Sequence, residues 1–248
     1  MIKLDYSDFE AMVADPDVSD AEVARYLTAR LDVPFKDRII PDEARILMKP
    51  EEGIEIFGIK EWANKFCRKR RQERFSRRIK NGEKKPILVS EGDSWFQFPF
   101  LIEEVIDQLE PDFLIWSLDA AGDTADNMIN RHPEYMIELR DQQKKHKVSG
   151  FLFSAAGNDV IGDVNGKPAL LDLLNPYQAG KDAMWHINKN NLKQTLDTLE
   201  RNYKKVISTI RGDHVFSKLP MFFHSYAYAI PGGFKGDNRR PIYAKQDE

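Results

Sequence analysis

The chain has 248 residues, 42% of them apolar and 31% charged, with a net charge of −3. That length suits one large α/β domain, or a domain of about 150–180 residues with an appendage, and the near-neutral balance excludes a polyanion binder that works by overall charge. The single cysteine, Cys67, excludes an intrachain disulfide, and no apolar run approaches the roughly 18–20 residues of a membrane span.

The opening segment Met1-Ile2-Lys3-Leu4-Asp5-Tyr6 turns acidic at once and has no apolar stretch of the signal-peptide kind. The expectation is a soluble, cytoplasmic protein, with export by a route without a cleaved signal left open. Residues 1–58 read as small helices and turns. Ser19-Asp20-Ala21-Glu22 fits a capping box ahead of Val23, Ala24, Leu27 and Leu31 at helical spacing, and Pro34, Pro41 and Pro50 punctuate the chain after it. Residues 59–80 predict a second helix. Its apolar stripe is Ile59, Trp62, Ala63 and Phe66, and a basic run extends from Arg68 to Lys80. The turn Asn81-Gly82 closes it, so residues 1–82 read as a helical N-terminal extension and residues 83–248 as the main domain.

From there strands and helices alternate. Pro86–Ser90, Phe113–Leu118, Gly150–Ala155 and Pro220–His224 read as strands. Between them come a helix over Leu101–Leu109 with Leu101, Ile102, Val105, Ile106 and Leu109 on one face, and helical chain from Asp123 to Gln143 broken near Pro133. A long helix covers Asn190–Ile210, with Leu192, Leu196, Leu199, Tyr203, Val206 and Ile207 inward. This alternation predicts an α/β fold, a parallel sheet flanked by helices on both faces.

Ligands of such sheets bind just past the carboxyl ends of the strands. Three small polar clusters stand at three such ends: Gly92-Asp93-Ser94, Ala121-Gly122-Asp123 and Gly157-Asn158-Asp159. A serine where strand turns to helix projects its hydroxyl into the crevice, with its own N–H near a helix start. A glycine lets backbone approach a substrate oxygen and offers an N–H, and an asparagine supplies an amide donor. Together they compose a nucleophile and an oxyanion hole for acyl transfer. The chain has no Gly-x-Ser-x-Gly, which excludes the lipase-type elbow.

In these blocks, Gly92-Asp93-Ser94, then Gly122, then Gly157-Asn158-Asp159, the chain resembles the SGNH (GDSL-like) serine hydrolase superfamily over roughly residues 86–230. The resemblance implies a flavodoxin-like three-layer fold and an ester hydrolase with Ser94 as nucleophile and oxyanion donors from Ser94, Gly122 and Asn158. It implies no cofactor and no metal, and a small-molecule or acylated substrate. The family's last block, Asp-x-x-His, is missing: none of His132, His146, His186, His214 and His224 follows an aspartate by three residues. The simplest account is a chain that stops before that block, as a fragment or a shortened member, so that the α/β domain lacks its C-terminal part.

Each residue also has a plainer reading. Ser94 would serve as a helix N-cap, Gly122 and Asn158 as turn residues, and Asp93 and Asp159 as loop holders at the site's lining. Asp119, Asp123 and Asp126 read as helix-start residues on a solvated surface. His224 ends a core strand and reads as a structural histidine that could line the site, and His186 reads as surface or packing. Cys67 reads as packing. The basic helix 60–80 reads as a solvated face, with an anionic partner as the functional alternative. Two functions compete with the esterase: a binding or interaction module that keeps the crevice without a base, and an adaptor for anionic surfaces.

Overall fold

The computed structural model describes residues 3–30, 38–47, 59–98, 103–164 and 167–224. The expected features at Pro34, Pro50, Leu101, Ile102 and beyond His224 lie outside these residues.

The chain begins with β1 (Leu4–Asp5), α1 (Tyr6–Ala14), α2 (Asp20–Ala24), β2 (Leu27–Arg30), β3 (Arg38–Pro41) and β4 (Ile46–Leu47). Ser19 caps α2 as expected, its hydroxyl accepting from the Glu22 N–H at 3.2 Å. The strands correct the purely helical expectation: β2 and β3 pair antiparallel, and β1 pairs with β4 in parallel. Runs of two to four residues are too short to display a period of two. Phe9, Val13, Val23 and Ile46 form a small core with Ala63 and Cys67 of α3 (Ile59–Lys80), so Cys67 packs as read.

The main sheet contains β5 (Ile87–Gly92), β6 (Leu114–Ser117), β7 (Val148–Ser154) and β10 (Met221–Phe223), all parallel, in the order β10-β7-β5-β6. Between them lie α4 (Val105–Leu109), a π-helical turn (Asn127–Arg131) and α5 (Tyr135–Lys145). After β7 come α6 (Gly157–Ile161), β8 (Asp163–Val164), β9 (Lys167–Pro168), α7 (Ala169–Asp172) and α8 (Lys189–Gly212). The chain is therefore α/β, with a parallel sheet flanked by helices. On one face Val89, Phe151 and Phe153 pack against Met128, Tyr135, Leu139, Val206 and Ile210. On the other, Leu88, Ile115 and Leu152 pack on Ile106 of α4. Each fully buried phenylalanine contributes ~1.5–3 kcal/mol.

Two helices differ from expectation. Helix α4 starts only at Val105 because Glu104 and Asp107 form a capping box there, and this turns Val105 outward. Helix α8 buries Leu199, Asn202, Val206 and Ile210, a stripe one residue wide per turn, and leaves Leu196 and Ile207 exposed. It covers one layer only, so its apolar face is narrower than its sequence suggests.

The basic run departs furthest from expectation. Helix α3 lies along the free edge of β6, and its polar side chains satisfy the carbonyls that an edge strand leaves open. Gln72 donates to Ser117 O at 2.9 Å, Arg78 to Phe113 O at 3.1 Å, and Arg68 to Leu118 O. Arg70 is 1% exposed and binds Val13 O and Val18 O. Arg71 is 6% exposed and binds Phe96 O, Glu104 and Asp107. Arg74 holds Glu110 and Arg77 holds Asp17. These arginines clamp the N-terminal elements and α4 onto the sheet edge, so Arg70 and Arg71 depart from the solvated reading, while Lys69, Arg77 and Lys80 of the same run stay exposed. Among the described residues no helix is long and apolar enough to cross a membrane.

Candidate active site

The strand order reverses at β5: β6 lies on one side of it and β7 on the other. Loops leaving adjacent strands in opposite directions open a crevice at such a point. The three polar clusters stand here, and hydrogen bonds knit them together. Asp93 N donates to Ser154 O at 3.1 Å and Ala120 N to Gly92 O at 2.8 Å, which joins the β5 end to β7 and to the β6 loop. Asn158 Nδ2 donates to Asp123 O at 2.8 Å, and Ala125 N donates to Asp159 Oδ2 at 2.9 Å. These bonds join the loops that carry Ser94, Gly122 and Asn158 at the carboxyl end of the sheet, although 64 residues separate the first from the last (158 − 94).

Ser94 is half-buried in a turn from Asp93 to Gln97. The helix expected to start at this serine does not form: Phe96 N and Gln97 N both return to Asp93 O at 3.0 Å, which closes a single turn. A turn this short carries no macrodipole, so its N–H groups act by aim alone. Trp95 N is held by Asp93 Oδ1 at 3.1 Å. Among the described residues, the Ser94 N–H is the one member of this turn without an acceptor. Gly122 adopts φ 78°, the left-handed region that favours glycine, and among the described residues its N–H also has no acceptor, while Ala121 N and Asp123 N on either side are bonded. Gly92, behind the serine, has no room for a side chain, since a Cβ would enter the ring of Phe96.

Asp93 is fully buried and holds its loop as expected, because its Oδ1 also accepts from the Ser154 hydroxyl at 2.7 Å. Ser154 Oγ lies 2.5 Å from His224 Nε2. The one hydroxyl hydrogen goes to Asp93, so Nε2 of His224 is the donor across that contact. The His224 ring lies 5.9 Å from those of Trp95 and Phe96, beside the Ser94 turn. His186 sits apart, stacked on Tyr177 and bonded within its own loop, which is the packing role expected of it.

Asp119 corrects the expectation of a solvated aspartate. It is fully buried, and Oδ2 accepts from the hydroxyls of Ser90 and Ser117, both at 2.6 Å. Asp123 accepts from the Thr124 N–H and the Asn127 amide at the start of the following turn, whereas Asp126 makes no capping bond and accepts from the side chains of Asn130 and Arg131. Burial raises Asp119 above the usual aspartate range against those two hydroxyls, and burial pushes Glu91 well above the glutamate range, with Asp119 adding to the rise. Burial raises Asp159 as well, opposed by backbone N–H groups. Burial draws these acids toward their neutral forms. Among the described residues no group of three His, Cys, Asp or Glu side chains is placed to hold a metal ion.

For Glu91 the sign of the linkage is definite. A carboxyl whose folded value is raised keeps a proton that the unfolded chain releases, so its stabilising contribution is present below the unfolded value and is lost as pH rises through the folded one. Glu91→Gln, which mimics the protonated acid, is expected to melt with wild type at about pH 4 and above it at about pH 8. Equal melting temperatures at both pH values would refute a protonated Glu91.

Sequence reasoning missed two features of this site. Ala156, just before Gly157, has φ 98° and is the one non-glycine residue with positive φ among the described residues. Such strain costs on the order of 1–3 kcal/mol and collects at functional sites. Nothing in the composition of Ser154-Ala155-Ala156 announces it. The second is Asn64 of α3, which binds both main-chain polar groups of Ala121; a lone asparagine in a charged helix carries no signal. No protein-family model matches the chain, and no curated protein matches it.

Proposed function

We propose that this chain is a serine esterase or acyl hydrolase of the SGNH type, in which Ser94 attacks an ester carbonyl and the N–H groups of Ser94 and Gly122, with the Asn158 amide, hold the oxyanion. The observation that carries this reading is the pair of unbonded N–H groups at Ser94 and Gly122 in loops whose neighbouring amides are paired. Both residues are half-buried, so their N–H groups are open to an incoming oxygen, and both stand at the switch point of a parallel sheet. Asn158 keeps one amide hydrogen beyond the one given to Asp123 O. A fluorophosphonate tests the reading, because an activated serine is phosphonylated and an inert one is not. Labelling mapped to Ser94 is the expected result, and labelling at another serine or none at all refutes it.

Asn158→Ala is expected to lower kcat by about 10²–10³ with little change in KM, since one oxyanion donor acts mainly in the transition state. A pure KM effect would assign Asn158 to substrate binding instead.

One observation favours a second reading, a binding module that keeps the crevice without a base. Among the described residues no histidine is hydrogen-bonded to Ser94, and His224 gives its Nε2 hydrogen to Ser154. The same fluorophosphonate experiment separates the two readings.

A further inference from the structure

We infer that Asn64 is a positioning residue of the oxyanion hole, and that α3 is therefore a working part of the site. This rests on the reading of Gly122 as an oxyanion donor. The Asn64 side chain faces Ala121 as one amide faces another: Nδ2 donates to Ala121 O at 3.0 Å and Oδ1 accepts from Ala121 N at 2.8 Å. Ala121 C=O and Gly122 N–H belong to the same peptide unit, which is planar and trans, so the two bonds point in opposite directions. By drawing the carbonyl toward α3, beyond the β6 edge, Asn64 turns the Gly122 N–H toward the β5 and β7 side, where Ser94 and Asn158 lie. The hydrogen bond accepted by the carbonyl also polarises the peptide and strengthens the N–H as a donor.

Gln97 extends the device to the serine. It is fully buried, its N–H closes the Ser94 turn on Asp93 O at 3.0 Å, and its Nε2 donates to Asn64 Oδ1 at 3.1 Å and Asn64 O at 3.2 Å. One continuous path of hydrogen bonds thus joins the turn holding Ser94 to the peptide holding Gly122, and Asn64 is its middle link. The glycine's left-handed φ leaves that peptide without steric restraint from a side chain, which is why an external clamp is needed to aim it.

The test compares wild type, Asn64→Ala, Asn64→Asp and the exposed neighbour Lys65→Ala, each assayed about 15 °C below its own melting point so that partial unfolding does not enter. Displacement of a reacting group by about 1 Å can cost 10²-fold, so Asn64→Ala is expected to lower kcat on p-nitrophenyl acetate, and the rate of fluorophosphonate labelling, by about 10–100-fold with KM within about threefold. Asn64→Asp keeps the acceptor for Ala121 N but has no hydrogen for Ala121 O, so it should be as slow as Asn64→Ala. Lys65→Ala should match wild type. The Gly122 amide resonance should shift in both Asn64 variants, a readout that does not depend on turnover. Labelling of wild type at Ser94 with unchanged rates in Asn64→Ala overturns the positioning role alone. Rates restored in Asn64→Asp overturn it too, because the donor would then be dispensable. Failure of wild type to label at Ser94 overturns the esterase reading and this inference together, and an unmoved Gly122 resonance removes the clamp itself.

Discussion

Ser94→Ala is expected to abolish ester hydrolysis and fluorophosphonate labelling while leaving the melting temperature nearly unchanged. Removing the nucleophile from such a site typically costs several orders of magnitude in kcat, and the remaining rate comes from the oxyanion donors and binding. The stability side depends on the surroundings of the residue. Ser94 is half-buried, and among the described residues its hydroxyl makes no hydrogen bond, so alanine leaves no partner stranded. A change within about 0.5 kcal/mol is expected. The measurement is p-nitrophenyl acetate turnover beside a thermal melt. Retained turnover would remove Ser94 from the mechanism, and a large drop in melting temperature would mean that the hydroxyl is structural.

Arg71→Ala is expected to give the largest loss of stability of any single change in the basic helix. The guanidinium is buried between Glu104 at 2.8 Å and Asp107 at 2.9 Å, and it also donates to Phe96 O at 2.6 Å. Burial opposes its charge, but Asp107 and Glu104 outweigh burial and raise its pKa. Its removal leaves the buried Glu104 and the partly buried Asp107 facing each other, and breaking such a pair costs about 3–5 kcal/mol, or roughly 6–20 °C in melting temperature for a chain of this size. Lys69→Ala, at an exposed position on the same helix, should change stability by no more than about 0.5 kcal/mol. The triple change Arg71→Met, Glu104→Gln, Asp107→Asn should recover most of the loss, because it leaves no charge to strand. A mild effect of Arg71→Ala alone would show that the buried guanidinium contributes little to stability. Because Phe96 and Gln97 belong to the Ser94 turn, Arg71 also ties α3 to the site from behind.

The alternation of apolar runs with helical patterns was sufficient to predict the parallel sheet, since burial on both faces imposes a continuous apolar stretch on each strand. The three polar clusters were legible for the same reason: each comes directly after a run such as Ile87-Leu88-Val89, and strand ends in such sheets share one edge. Helix α3 was legible as a helix over the residues it occupies, but its role was not. Arg70 and Arg71 read as solvated because charge in a sequence says nothing of what faces it, and the carbonyls they bind belong to residues 13, 18 and 96. Asp119 read as exposed because its two serine donors come from β5 and β6. His224 could be placed at a strand end but not tied to Asp93, since that tie runs through Ser154 on a third segment. Local patterns record which way a side chain turns relative to its own element, and so the four strands of the main sheet, their polar ends and the candidate nucleophile could be read from the residues alone, while β1 to β4 could not. Hydrogen-bond partners depend on which elements become neighbours, and that was decided only when the sheet placed β5 between β6 and β7 and brought α3 along the open edge.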